Sequence, residues 1–256
     1  MGRAILFCPA LVRELNDMKR VAILQPNYIP WKGYFDIINM VDLFVLYDDV
    51  QYTVRDWRNR NMIKTKTGLI WLTIPTDGSV HKIIKDVKVI YDEKWNSKHW
   101  KAIQLNYAKA PFFKEFKDFF EQLYLNTKET YLWEVDLKFI MEINNLLGIK
   151  TKIVNSSDLN YNRNLKKTER LIEILNLVGA THYLSGPSAK NYIDEELFVK
   201  AGIVLEWMDY SGYPEYPQLY PPFVHTVSIV DLILNTGKDA PKYMKSFRNA
   251  EGSQSH

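Results

Sequence analysis

Apolar residues fall into two alternating regimes along the chain. Short continuous runs, the mark of strands covered on both faces of a parallel sheet, stand at residues 20–24 (Val21-Ala22-Ile23-Leu24), 42–47 (Leu43-Phe44-Val45-Leu46), 151–154, 181–184 and 204–208. Between them the spacing turns helical, at residues 31–40, 166–178 and 194–200. A third strand is predicted at 69–75 after the Lys66-Thr67-Gly68 turn, and another at 83–90. From Trp95 onward three helices follow in succession, at 95–106, 111–125 and 131–147, with Gly148 and Gly179 where helix C-terminal caps belong. The pattern predicts an α/β fold with a Rossmann-like, mostly parallel sheet and a three-helix insertion.

The remaining segments set the boundaries. Residues 1–17 contain a short apolar run broken by Pro9 and followed at once by Arg13 and Glu14, which suits an N-terminal extension better than a secretory signal. Residues 18–245 are expected to form a single α/β domain with its helical insertion at about 95–147, and residues 246–256 a frayed tail. Tyr and Pro crowd residues 210–223, which predicts a long aromatic loop.

Composition narrows the function classes. A net charge of +3, with the basic residues dispersed, gives no case for specific nucleic-acid binding. One cysteine, Cys8, forms no internal disulfide and leaves the domain without a thiol nucleophile, and no run is long enough for a membrane span. A cytoplasmic protein acting on a small molecule is the expectation. The five histidines lack ligand spacing, so no metal site is expected from them.

Candidate chemistry gathers at the predicted strand ends, where open α/β sheets bind ligands. After the first strand come Gln25, Tyr28, Trp31, Gly33 and Tyr34: an amide, three aromatic rings, and a glycine that allows close approach. After the second come Asp48 and Asp49, adjacent carboxylates of which one faces the cleft as a general base or Mg²⁺ ligand and the other anchors the loop; the sequence does not say which. The alternative is a turn and helix cap. The loop or short helix at 51–61 adds Gln51, Arg58, Asn59 and Arg60, whose guanidiniums suit a carboxylate or phosphate. Later, Ser185 and Gly186 lie between a strand and a helix and could cradle an anion. Ser228 and Asp231, near His225, sit three apart on a predicted helix, which fits an N-cap better than a catalytic triad.

The runs Gln25-Pro26 through Gly33-Tyr34-Phe35, Val45-Leu46-Tyr47-Asp48-Asp49-Val50-Gln51-Tyr52 and Trp57-Arg58-Asn59-Arg60-Asn61 resemble the WbqC-like family of bacterial proteins. Further matches lie at Ala108 to Phe113, Gly148 to Thr151 and Val227 to Leu232, so the resemblance covers residues 18 to about 237. It implies a role in O-antigen, lipopolysaccharide or other surface-polysaccharide biosynthesis, and a transferase that moves an aminoacyl (glycine) or acyl group onto an amino-sugar intermediate. The implied substrate is a nucleotide-linked amino sugar. Within that pattern Asn59 and Arg60 match better than Arg58. The cofactor is left open, with ATP and Mg²⁺ as the two considered. The alternatives are a nucleotide-binding enzyme with a nucleotidylyltransferase-like fold, although Trp31 and Tyr34 stand where that fold carries histidines, and a non-catalytic sugar-binding module.

Overall fold

The computed structural model of the protein describes residues 18–251, so the extension at 1–17 and the last five residues of the tail lie outside the described residues. Five parallel strands form the central sheet: β1 (Arg20–Leu24), β2 (Leu43–Leu46), β5 (Lys152–Asn155), β6 (His182–Ser185) and β7 (Val204–Trp207). Their spatial order is β5-β2-β1-β6-β7. The chain winds outward from β1 through β2 to β5, then returns to the other side of β1 for β6 and β7. The direction of winding thus reverses between β1 and β6, and the loops leaving these two strands part there to make a crevice.

The continuous apolar runs are explained by burial on both faces. Ala22, Phe44 and Leu46 point into one apolar core; Val21, Ile23, Leu43 and Val45, the alternate positions, point into another. The first core is closed by helices α1 (Lys32–Asn39), α2 (Trp95–Tyr107), α3 (Phe113–Leu125), α4 (Leu132–Leu147) and α7 (Ile229–Thr236), the second by α5 (Lys167–Leu177) and α6 (Glu195–Ala201). A one-residue slip of β1 would exchange its two faces, so register is tightly specified. Gly148 and Gly179 both take the left-handed conformation at helix ends. Among the described residues no helix is long and apolar enough to cross a membrane.

Three expectations need correction. The connection between β2 and β5 holds, besides the three helices, a separate antiparallel hairpin of β3 (Arg60–Thr65) and β4 (Gly68–Thr73); the strand expected at 69–75 belongs to it, not to the main sheet. Residues 83–90 form no strand: a 3₁₀ turn at Ile84–Asp86 is flanked by isolated bridges from Ile83 to Gln51, Val89 to Thr76 and Lys88 to Tyr131. The chain after residue 245 does not fray at once. Helix α8 (Lys245–Glu251) begins there, and its first N–H groups, on Lys245 and Ser246, each donate to Asp36 at 2.9 Å. Asp36 is fully buried and also accepts from the Tyr213 hydroxyl at 2.5 Å, so one carboxylate ties α1, the aromatic loop and the last helix together.

Candidate functional site

A cleft of about 640 Å³ opens at the β1/β6 crossover. That volume lies in the range of small-molecule sites, about 300–1,000 Å³. Its floor is the exit of β1, with Gln25 and Asn27; its walls are Tyr47 after β2, Tyr183 and Ser188 on and after β6, Lys167 at the start of α5, and Trp57 and Arg58 from the loop before β3. Among the described residues, Arg58 and Lys167 are the only charged ones that line it, and no carboxylate joins them.

Arg58 is held from below by the side chains it touches. Its guanidinium donates to the amide oxygens of both Gln25 and Asn27 and lies 3.4 Å from Asp56. Burial pulls the guanidinium below its ordinary pKa, with Asp56 opposing, and the Nε–H has no partner among the described residues. The Asp56 carboxyl is pushed up by burial, but Arg58, the Thr53 hydroxyl and the Trp57 N–H outweigh that and leave it lowered. A largely desolvated guanidinium whose charge is only partly compensated favours a carboxylate or phosphate as partner. Because both amide oxygens are taken by Arg58, the NH₂ groups of Gln25 and Asn27 remain as donors without partners among the described residues.

Two backbone positions around the cleft are strained. Ile29 has φ of 35° and Lys167 of 49°, left-handed values unfavourable for a β-branched residue and for the first residue of a helix. Ile29 is held there by Asn61, whose Nδ2 donates to the carbonyls of Tyr28 and Ile29 at 3.0 Å each. Tyr28 N–H, in turn, donates to Trp57 O at 2.9 Å, joining the β1 exit to the loop that carries Arg58.

The residues singled out from sequence are divided by the structure. Gln25 lines the cleft; Trp31 lines an adjoining smaller hollow. Tyr28 and Tyr34 are core: the Tyr28 hydroxyl donates to Tyr124 at 3.0 Å and meets His99 Nδ1 at 2.9 Å, and Tyr34 donates to the Gln25 carbonyl at 3.0 Å. The close approach that Gly33 permits is that of the Trp31 indole, which a Cβ would overlap. Gln51 reaches Val80 O at 2.8 Å on the surface, away from the cleft. Asn59 is buried and donates to Ile74 O at 3.0 Å. Arg60 lies over the Trp71 ring, 4.2 Å from its centre, a diagonal cross-strand contact on the hairpin, so Arg58 takes the place expected for Arg60. Ser185 is buried and Gly186 starts the 3₁₀ turn Pro187–Asn191, in which Ser188 is the residue that lines the cleft.

Neither Asp48 nor Asp49 is among the residues that line the cleft. Asp48 accepts from Ser156 Oγ (3.0 Å), Ser157 N (2.9 Å) and Ser157 Oγ (2.7 Å). Asp49 accepts from Ser156 Oγ (2.6 Å), the Tyr161 hydroxyl (2.6 Å) and Arg163 Nε (3.2 Å). With 0% and 5% exposure respectively, the pair is a buried clasp between the exits of β2 and β5. Its lone pairs are occupied, which does not fit a Mg²⁺ site, and among the described residues no cluster of three or more His, Cys, Asp or Glu is gathered for a metal ion. Ser228 caps α7, and Asp231 accepts from Tyr107, Tyr216 and Gln218.

Comparison with known proteins places these residues in a lineage. The model of the WbqC-like protein family matches residues 25–243, a span that includes the β1 exit, the Arg58 loop and α5. The chain belongs to the WbqC-like protein family. A relative, the uncharacterized protein Rv1507c of Mycobacterium tuberculosis (strain ATCC 25618 / H37Rv), is 45% identical over 233 residues, covering 90% of this chain and 100% of that protein. No solved structure matches the chain significantly. A second hollow, about 530 Å³, lies elsewhere in this WbqC-like protein, but two carboxylates line it and pair with two of its three cations, Arg20 with Glu206 at 2.7 Å and Lys245 with Asp209 at 3.1 Å, while the exposed Arg248 donates to Lys242 O at 3.2 Å. The crossover cleft, whose described lining holds two cations and no carboxylate, is the better candidate for an anion.

Proposed function

We propose that this WbqC-like protein is a group transferase that holds an anionic small molecule in the crossover cleft and moves an aminoacyl or acyl group onto an amino-sugar intermediate of surface-polysaccharide biosynthesis. The observation that carries the proposal is the cleft's charge: Arg58 and Lys167 face a 640 Å³ space that no carboxylate lines among the described residues. Arg58 grips a phosphate or carboxylate; the Gln25 and Asn27 NH₂ groups donate to oxygens that gain charge during transfer. The acidic pair takes no part. In the transfer the acyl carbon forms its bond to the sugar nitrogen as the bond to the leaving group breaks, and the amine proton departs with the leaving group or to water.

The test uses the full chain in two stages. Isothermal titration should detect binding of UDP and of glucosamine 1-phosphate but not of neutral glucosamine derivatives. Arg58→Lys keeps the charge, loses the fork, and should weaken anion binding about tenfold, while Arg60→Lys should not. Mass spectrometry after incubation with UDP-linked amino sugars and acyl-CoA, or with glycine and ATP, then looks for the acylated product. Anion binding that ignores Arg58 would sink the proposal, and binding without turnover across the donor panel would favour a sugar-binding module.

A further inference from the structure

Beside the cleft lies a smaller hollow of about 180 Å³, lined by Asn27, Pro30, Trp31, Trp57, Asn61 and Thr226. Asn27 and Trp57 line both spaces, so the two share a wall. We propose that this hollow is a sugar subsite, taking the pyranose ring of a glycosyl phosphate whose phosphate lies against Arg58. The proposal rests on the anion-binding assignment of the cleft and extends it.

Several features mark the hollow as built rather than incidental. Asn61 is fixed on three sides, by the Tyr28 and Ile29 carbonyls and by the Met62 N–H, which donates to its Oδ1 at 2.7 Å. The Trp31 ring lies across Gly33 and is wedged edge-on against Tyr210 and Tyr213, with ring centres 5.0 and 5.6 Å away. The Pro30 carbonyl accepts from Ile229 N–H at 2.9 Å, so the strained exit of β1 is anchored on both sides of Ile29. Such rigidity lowers the ordering cost of binding.

The lining also specifies the occupant. Among the described residues no charged one lines the hollow, two indoles flank it, and the Asn27 NH₂ and Thr226 hydroxyl have no hydrogen-bond partners. A pyranose offers what these walls lack: an apolar C–H face for an indole and hydroxyls for an amide and an alcohol. At 180 Å³ the space is smaller than a typical ligand pocket, so it takes one ring. Arg58 holds the Asn27 amide oxygen, which puts the anion site directly beside the ring and calls for a phosphate bonded to the sugar itself.

Thr226 is exposed and lines only the small hollow, so Thr226→Phe obstructs it without touching the cleft. Calorimetry with UDP and UDP-N-acetylglucosamine should show the sugar nucleotide binding about tenfold more tightly to the wild type. Thr226→Phe should abolish that gain and leave UDP affinity unchanged, and Trp57→Ala should reduce the gain. Equal affinity for the two ligands in the wild type, or a gain that survives Thr226→Phe, overturns the sugar subsite but leaves the anion cleft standing. Uridine binding that is lost in Thr226→Phe overturns it too, since the hollow would then hold the base. Failure of UDP and of glucosamine 1-phosphate to bind at all overturns both proposals.

Discussion

Replacing Asp136 by asparagine should stabilise the protein, by an amount that grows with pH. Asp136 sits on the inner face of α4 with 0% exposure, and neither carboxyl oxygen has a hydrogen-bond partner among the described residues. Burial pushes its pKa well above the ordinary 3.8; only Arg58 opposes this. Between the unfolded and folded pKa values the native state therefore binds one more proton than the unfolded chain, and stability falls as pH rises, by about 1.4 kcal/mol per unit. Asparagine has nearly the same shape and no titration. Its unpartnered amide costs about what the unpartnered neutral acid costs, roughly 1–3 kcal/mol, so the two proteins should be nearly equal near pH 4. Each pH unit gained inside the window should widen the variant's lead by about 1.4 kcal/mol, which for a chain of this size is a rise of roughly 3–6 °C in Tm. Urea unfolding of both proteins in half-unit pH steps measures the difference directly. A difference that stays flat with pH would refute the reasoning, because it would mean that the carboxyl carries the same charge in both states.

Other consequences are as direct. Lys32, buried against Tyr213 and Tyr216 with its amine 3.2 Å from Pro214 O, is lowered from 10.5 to about 8 by burial. Its folded form sheds the proton first, so the wild type should gain about 2 kcal/mol over Lys32→Met between pH 8 and 9.5, a trend that chemical denaturation would read and that a pH-independent difference would disprove. Tyr161→Phe removes the hydroxyl that donates to Asp49 at 2.6 Å and should cost roughly 1–3 kcal/mol while leaving anion affinity intact; lost affinity at unchanged stability would return the acidic pair to the site. Gly33→Ala drives a methyl into the Trp31 indole and should cost about 1–3 kcal/mol, seen as a lower Tm with altered tryptophan fluorescence; an unchanged Tm would show that the ring is free to move.

The sheet was legible because its strands are short and buried on both faces, so β1, β2, β6 and β7 announce themselves as apolar runs, and the caps at Gly148 and Gly179 bound the helices between. Strand β3 gave no such signal. It buries Asn61 and Lys64, polar residues satisfied by distant groups: the Tyr28 and Ile29 carbonyls for Asn61, and Gln218 Oε1 at 2.5 Å together with Pro222 O for Lys64. That Arg58 rather than Arg60 lines the cleft was hidden for the same reason. Once Arg60 opens a strand its side chain is directed by the hairpin toward Trp71, and that pairing is invisible locally. The buried setting of the acidic pair was not legible because its donors lie more than a hundred residues downstream, on Ser156, Ser157 and Tyr161. Lys167 enters the cleft through the crossover connection, which no local pattern reports.

The position of β1 at the middle of the sheet also shapes how the chain comes into being. One edge of the strand finds its neighbour early, since Val21 pairs with Leu43; the other waits for β6, where Arg20 pairs with His182. At about 5–20 residues per second, a ribosome needs roughly ten to thirty seconds to deliver that second partner. Throughout that interval an apolar strand presents an open row of N–H and C=O groups, the kind of edge that recruits strands from other chains. Chaperone occupancy of nascent chains should therefore persist until β6 has cleared the exit tunnel, and slowing elongation between β2 and β6 should lengthen it.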